Sequence, residues 1–563
     1  MENYELIPKV DEAQEFIEIA NDFSNPLELI REAISNSFDA KAENIKIEFS
    51  VESIEGESTL IIKLIDDGHG MDKDGLQSFF DLGNSSRRND KTTIGEKGHG
   101  TKVYFNCKKI IVRTVKNGVQ NMATMNNPFK ELHQRKIPKV AVEQSVTDEN
   151  NGTEIMIYGY NNNRRDKFTH DILKDYIKWF TAYGSVEPYF YERENRPSLL
   201  LKGLGCDQFE PIAYGHYIPK DSKNISELFD EYIIQAPDFY CRRFIKTGTL
   251  KNFPEIHYQA IFVIEGKKVR YSYNPMLRRK GYQAPNGSYT VQDRYGLWLC
   301  KDHISIQRKN EWLAFKGQEF TRFHAFFNCQ HFKLTANRGS VDNTPSEIMI
   351  DIKEEVEKIY FSIIESEDWR ELNWLEDQSE AYQTIEKEKS DYKWRIERTN
   401  KTNIAEKDGR VYVEPRSEIG VYSLVLRLAE TNKNLFPFYI VDYDTHQGID
   451  VIAKGDKTTP IQMSKLYYIE FKYYLDKNFN HSFENLHSII CWDTQMKHNE
   501  TVKDINDEER KLVIVQPEID GEYLKYFLDH PRKAHKIEVF VLKDYLKSKI
   551  GLEFRPRSRD AVL

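Results

Sequence analysis

The sequence predicts a multidomain α/β protein, and three observations carry that reading. Residues 26–160 alternate helical and strand periodicities and hold nearly all of the suggestive glycine clusters. Residues 166–365 continue as mixed α/β, with apolar strand runs at 257–264 and 295–300. A charge-rich stretch then begins at 366, has no glycine before Gly409, and gives way after Pro415 to a fresh alternation of helix and strand. The expected organisation is 1–165, 166–365, a helical linker at 366–409, and 410–563. Composition agrees with a soluble globular chain: 563 residues, 39% hydrophobic, with a mean hydropathy of −0.65. Lysine and arginine total 80 and aspartate and glutamate 89, so 80 − 89 = −9. That balance excludes a uniformly basic nucleic-acid coat but leaves room for a local basic groove. No apolar run approaches the ~20 residues of a membrane-spanning helix, so no membrane association is expected. The acidic start MENYELIPKVDEAQEF resembles no targeting segment. Six scattered cysteines with no CxxC pair suit a reduced cytoplasm better than a zinc site or disulfide framework.

The first helix is expected over PLELIREAISNSFDAKA, with Leu27, Ile30, Ala33, Ile34 and Phe38 on one face. Glu32, Asn36 and Asp39 share another side at i, i+4 and i+7. A carboxylate one turn from a carboxamide suits water activation beside a metal held by the amide oxygen. An apolar strand then runs into Asp66-Asp67-Gly68-His69-Gly70-Met71. An aspartate at a strand end can accept a hydrogen bond from the exocyclic amine of adenine, and the glycines after it let the backbone approach the ring. The segment Gly95-EKGHGTK, with glycines at 95, 98 and 100, has the form of a loop that cradles phosphates with backbone N–H groups. Gly152-Thr153 opens a further strand and offers a hydroxyl to the adenine edge.

These pieces together, ExxxNxxDA at 32–40, DxGxGM at 66–71, GxxGxG at 95–100 and GT at 152–153, resemble the GHKL ATPases: DNA gyrase, heat-shock chaperone ATPases, histidine kinases, MutL and MORC. The resemblance covers about 135 residues and implies a Bergerat-type α/β sandwich that binds ATP and Mg²⁺. It implies Glu32 as general base, Asn36 as Mg²⁺ ligand and Asp66 as adenine reader. Asp39, Gly68, Gly70, Met71 and Thr153 complete the nucleotide pocket. Gly95, Gly98 and Gly100 belong to the lid over the triphosphate, with Thr101 and Lys102 beside it. The 83–93 segment, with Ser85, Ser86 and Arg87, would be the lid's mobile part. No histidine precedes Glu32, and kinases usually lack the glutamate base, so the hydrolase branch is expected over a signalling kinase.

Hydrolase members resemble one another in a transducer domain that sends a cation to the γ-phosphate. HFKLTANRGSV at 331–341 is similar to such a segment, and Lys333 and Arg338 are the candidate cations. Gly266-KKVRYSYNPMLRRKGY interleaves cations with tyrosines and is a candidate DNA contact.

In the last region a helix beginning at Glu418 precedes Asp450-VIAK, a turn, and the strand LYYIEFKYYL with Glu470 and Lys472. Residues two apart on a strand share a face. Carboxylates at adjacent strand ends can bind Mg²⁺, and a lysine beside them can orient or deprotonate the attacking water. The set D-x19-E-x-K after a helix bearing a glutamate resembles the PD-(D/E)xK superfamily, a restriction-endonuclease-like α/β fold, with Ile449 in the proline position. Glu418, Asp450 and Glu470 would then hold the metal, with Asp450, Glu470 and Lys472 catalytic. A helix near 483–490 and then a strand, HSIICWD, are expected to follow; Glu484 and His487 on that helix could supplement the site, though an ordinary role suits each better. Lysines and arginines from Lys533 onward could grip a phosphate backbone.

Together these features predict an ATP-gated, Mg²⁺-dependent DNA endonuclease, working as an ATP-dependent homodimer, with RNA a less favoured substrate. A defence role with a partner subunit rests on analogy to bacterial MORC-like and MutL-like systems. The alternative is a chaperone-like or MORC-like clamp whose C-terminal domain binds nucleic acid without cutting; it predicts ATP turnover and no cleavage.

Overall fold

The computed structural model describes residues 11–22, 25–82, 100–192, 196–313, 319–335, 338–444, 450–518 and 522–557. Gly95, Gly98, Ile449 and the 83–93 lid segment therefore lie outside the described residues. The chain divides into two compact units, Met1–Thr384 and Ile385–Leu563.

The first unit opens with an eight-stranded mixed sheet. Its strands, in spatial order, are Val140–Val146, Val119–Asn126, Lys109–Lys116, Gly152–Tyr158, Glu57–Asp66, Asn44–Ile54, Ser198–Lys202 and Glu210–Ile212. All neighbours are antiparallel except Asn44–Ile54 with Ser198–Lys202. Thr59, Leu60, Ile61 and Ile62 are buried in succession, as a central strand covered on both faces requires. The helix Glu28–Asp39 buries Leu29, Ile30, Ala33 and Ile34 in the same core as Ile45, Ile47, Ile62 and Leu64. Its opposite side is thereby left to Glu32, Asn36 and Asp39.

A five-stranded sheet follows within the same unit, in the order Ile304–Arg308, Gly296–Lys301, Phe323–Cys329, His257–Glu265 and Cys241–Thr249. A buried polar chain ties it to the helix His170–Phe180. The Lys178 carbonyl meets His216 Nδ1 (2.7 Å), His216 Nε2 meets His324 Nε2 (2.9 Å), and His324 Nδ1 meets Glu265 Oε1 (2.6 Å). Arg294 adds an ion pair to Asp175 at 2.8 Å. The Gly266–Tyr282 segment forms the helix Lys267–Tyr273 and a loop. Lys267 and Lys268 are exposed there, whereas Arg270 is buried with its guanidinium 4.7 Å from the Tyr295 ring centre. The helices Ser346–Ile364 and Glu367–Asn400 come next, the second continuous over 34 residues.

The second unit holds the hairpin Ile404–Lys407/Arg410–Val413, the helix Glu418–Thr431 and another eight-stranded sheet. In order its strands are Tyr439–Tyr443, Val451–Lys454, Leu466–Leu475, Leu486–Thr494, Ile537–Val541, Lys525–Asp529, Glu509–Val515 and Thr501–Lys503. Leu466–Leu475, Leu486–Thr494 and Ile537–Val541 run parallel at its centre. Val421, Leu424, Val425 and Leu428 of the helix pack on Ile469 and Phe471. The helix expected near 483–490 is not formed. Glu484 lies in a turn, and Leu486 begins a strand that joins the parallel core. Among the described residues no helix is long and apolar enough to cross a membrane.

Candidate functional site

In the first unit the helix Glu28–Asp39 and the end of the strand Glu57–Asp66 define one polar cluster. Asn36 Nδ2 donates to Glu32 Oε1 at 3.1 Å, which leaves the Asn36 carbonyl oxygen available to a cation. Burial holds the Glu32 carboxyl above its ordinary value. The Arg338 guanidinium and the Asn36 amide oppose that shift, and Asp39 on the same helix adds to it. Of the two candidate cations, Arg338 thus acts electrostatically on Glu32. Lys333 is exposed, with its backbone N–H on Thr344 Oγ1 at 2.9 Å.

Gly100 approaches the same carboxylate so closely that a Cβ there would stand 2.0 Å from the Glu32 carboxyl carbon. Thr101 Oγ1 and Lys102 Nζ both donate to the Phe79 carbonyl, at 2.8 and 3.0 Å. Lys102 is fully buried, and burial pulls its ammonium down to about 8 against the pull of Glu32 and Asp81.

Asp66 pairs in register with Thr153 across the neighbouring strand. Burial pushes its carboxyl up to about 6, against the Gly68 N–H that donates to Oδ1 at 2.9 Å. Gly70 has φ 66°, and a Cβ there would sit 2.0 Å from the Val115 carbonyl oxygen. Met71 N–H donates to Thr114 Oγ1 at 2.8 Å, and Thr114 Oγ1 lies 3.2 Å from Thr153 Oγ1. The second aspartate of the motif is structural: Asp67 accepts from the backbone N–H groups of Glu43 and Asn44, both at 2.8 Å.

Two groups had no signal in the sequence. Thr114 is a strand residue with no motif around it. Tyr104 is fully buried near Glu32 and Asn36, with its hydroxyl beside the Asn36 side chain. The carbonyl oxygen of Asn36 and the raised carboxyl of Glu32, one turn apart on the same helix, fit a magnesium nucleotide: one offers a hard oxygen to the cation and the other a base to water.

In the second unit the structure brings Glu418, Asp450 and Glu470 together, with one carboxylate oxygen of each within 4.8 Å of the others. Ser417 Oγ accepts from Gly420 N–H at 3.2 Å, which starts the helix so that Glu418 stands on its first turn. Asp450 Oδ2 accepts from the Phe471 N–H at 2.9 Å, clamping the two strands beside Glu470. Glu470 is fully buried, while Ile469 and Phe471 point into the opposite core. Lys472 Nζ donates to Glu470 Oε1 at 2.6 Å and reaches Glu418 Oε2 at 3.5 Å. His481, from the loop after the strand, places Nε2 3.0 Å from Glu470 Oε1. Burial pushes Glu470 up to about 7 despite Lys472. Burial and Lys472 push His481 below its ordinary value. Three hard oxygen ligands converging beside an ammonium are a fitting donor set for Mg²⁺. The sequence reading missed His481. His487, expected to be ordinary rather than part of the site, has its Nδ1 2.7 Å from Ser488 Oγ. Several of the C-terminal cations are engaged in ion pairs: Lys533 with Glu508, Lys536 with Asp529, Lys543 with Asp493, and Lys547 and Arg555 with Glu553.

Residues 25–153 match the family model described as Histidine kinase-, DNA gyrase B-, and HSP90-like ATPase. That span contains Glu32, Asn36, Asp66, Gly100 and Thr153, and the match supports ATP binding and hydrolysis by this part of the chain. A search of curated proteins finds no match to the chain.

Proposed function

We propose that this protein is an ATP-hydrolysing, Mg²⁺-dependent DNA endonuclease in which the nucleotide state of the first unit controls cutting by the second. The observation that carries the nuclease half is the convergence of Glu418, Asp450 and Glu470 with Lys472 at 2.6 Å from Glu470.

In the first unit Glu32 takes the proton of the attacking water, with Asn36 holding its carboxylate in place. The Asn36 carbonyl oxygen binds the cation, Asp66 and Thr153 read the adenine edge, and Arg338 senses the γ-phosphate. In the second unit Glu418, Asp450 and Glu470 hold the metal, and Lys472 orients water against the phosphodiester. Bound Mg²⁺ supplies Lewis-acid polarisation of phosphoryl oxygens at both places. DNA is favoured over RNA because the chain has no RNA-specific motif. ATP-dependent pairing of first units across a homodimer, cytoplasmic location and service in a defence system with a partner subunit complete the proposal. The four-part division at 165, 365 and 409 is its domain scheme.

The test is cleavage of supercoiled plasmid and single-stranded DNA with Mg²⁺. The wild type nicks, chelation stops it, and Lys472→Ala is inactive while hydrolysing ATP at the normal rate. Cutting by Lys472→Ala at the wild-type rate would refute the assignment. ATP turnover without cleavage by the wild type would favour the non-cutting clamp.

A further inference from the structure

The second half of the helix Glu367–Asn400 has a feature that neither site uses. Leu372, Leu375 and Ser379 are buried on its first half, but every residue from 381 to 400 is exposed. At 1.5 Å per residue that is about 30 Å of helix with no packed face. Helices of this length take most of their stability from packing, not from propensity, so a segment this bare calls for a partner.

The exposed stretch carries a stripe. Ile385, Lys389, Tyr392 and Ile396 step by four, three and four residues, the spacing of a coiled-coil seam. Ile385 is 48%, Tyr392 69% and Ile396 43% accessible. Glu386 and Lys393 flank the stripe on one side, and Glu388 and Arg395 flank it on the other.

We propose that this stripe is a self-association surface, and that its occupant is the same helix of a second copy, running antiparallel. In that register Ile385 meets Ile396 of the second copy, and Lys389 lays its stem and charge on Tyr392 of the second copy. Residues on the same flank face each other in an antiparallel pair. Glu386 therefore meets Lys393 of the second copy, and Glu388 meets Arg395 of the second copy, each contact occurring twice through the two-fold axis. Glu386 already holds Lys389 of its own helix at 3.0 Å, so the second lysine extends an existing pair. A parallel pairing would instead set Lys389 against Lys389, like charge on like charge. Charge complementarity thus selects the antiparallel copy.

The test uses the full chain without nucleotide, so that pairing through the ATPase region does not contribute. Sedimentation velocity over about a hundredfold range of concentration should show a reversible dimer. Glu386→Lys with Glu388→Lys should raise its dissociation constant on the order of tenfold or more. Adding Lys393→Glu and Arg395→Glu to that same chain should restore it. Oxidation should cross-link the variant carrying both Ile385→Cys and Ile396→Cys, and not the variant carrying Ile385→Cys alone. A wild type monomeric throughout, a reversal without effect, a failed restoration, or a cross-link through Ile385→Cys alone would each overturn the proposal. All substituted positions are exposed, and an unchanged ATP turnover rate confirms that the variants fold.

Discussion

Lowering the pH from 8 to 6 should weaken divalent-cation binding at the Glu418–Asp450–Glu470 centre about tenfold. Burial lifts the Glu470 carboxyl to about 7, and a cation binds only its ionised form. A group titrating at about 7 is roughly nine-tenths ionised at pH 8 and roughly one-tenth at pH 6, a difference of ~1.4 kcal/mol in apparent binding. A glutamate at the ordinary 4.5 would be ionised at both pH values and give almost no change. The sign for stability follows from the same shift. Between 4.5 and about 7 the folded chain holds more protons at Glu470 than the unfolded chain does. The metal-free protein therefore loses stability as pH rises through that window and levels off above it. A bound cation reverses the trend, because it takes the place of the proton. His481 is pushed the other way, below its ordinary value, and titrates below this step. Isothermal titration with Mn²⁺, without nucleotide, at pH 6, 7 and 8 on the wild type and Glu470→Gln measures the effect. Equal affinity at pH 6 and pH 8, or an unaltered pH dependence in Glu470→Gln, would refute the reasoning.

Other substitutions probe single contacts. His481→Ala removes the imidazole 3.0 Å from Glu470 and should weaken Mn²⁺ binding by about tenfold or more with little change in melting temperature, read by the same titration. Glu32→Gln keeps the shape of the side chain and removes the base, so ATP turnover should fall at least ~100-fold while nucleotide binding, followed by fluorescence of a labelled analogue, persists. Gly70→Ala places a methyl 2.0 Å from the Val115 carbonyl at a left-handed φ and should cost about 3 kcal/mol or more in denaturant unfolding of the first unit.

Local periodicity made the elements around both sites legible. Ile30, Ala33 and Ile34 mark the buried face of the helix Glu28–Asp39, and so place Glu32 and Asn36 on the other side. The strand Leu466–Leu475 was equally readable, because Ile469 and Phe471 had to point inward together. The strand Leu486–Thr494 was readable only in part: HSIICWD reads as a strand, but its first residues overlap the helix expected near 483–490. It is buried from Ser488 to Trp492 on both faces of a parallel core, so it has no period of two to distinguish it from a helix. His481 was hidden for a different reason. It reaches Glu470 from a loop, and loop geometry leaves no spacing in the sequence. Tyr104 and Thr114 act through burial beside groups distant in sequence, which pattern alone does not reveal. The helix Glu367–Asn400 shows the reverse case: its charge-rich composition announced a helix, yet the apolar stripe gained meaning only once the structure left it bare.

Communication between an ATPase and a phosphodiester-cutting centre on one chain is tested most directly by the rate of plasmid nicking, measured in Mg²⁺ with and without ATP. The wild-type rate should change when ATP is added. In Glu32→Gln, ATP should hold the rate at one fixed level instead of letting it relax as nucleotide is consumed. A nicking rate identical with and without ATP in both proteins would contradict such communication.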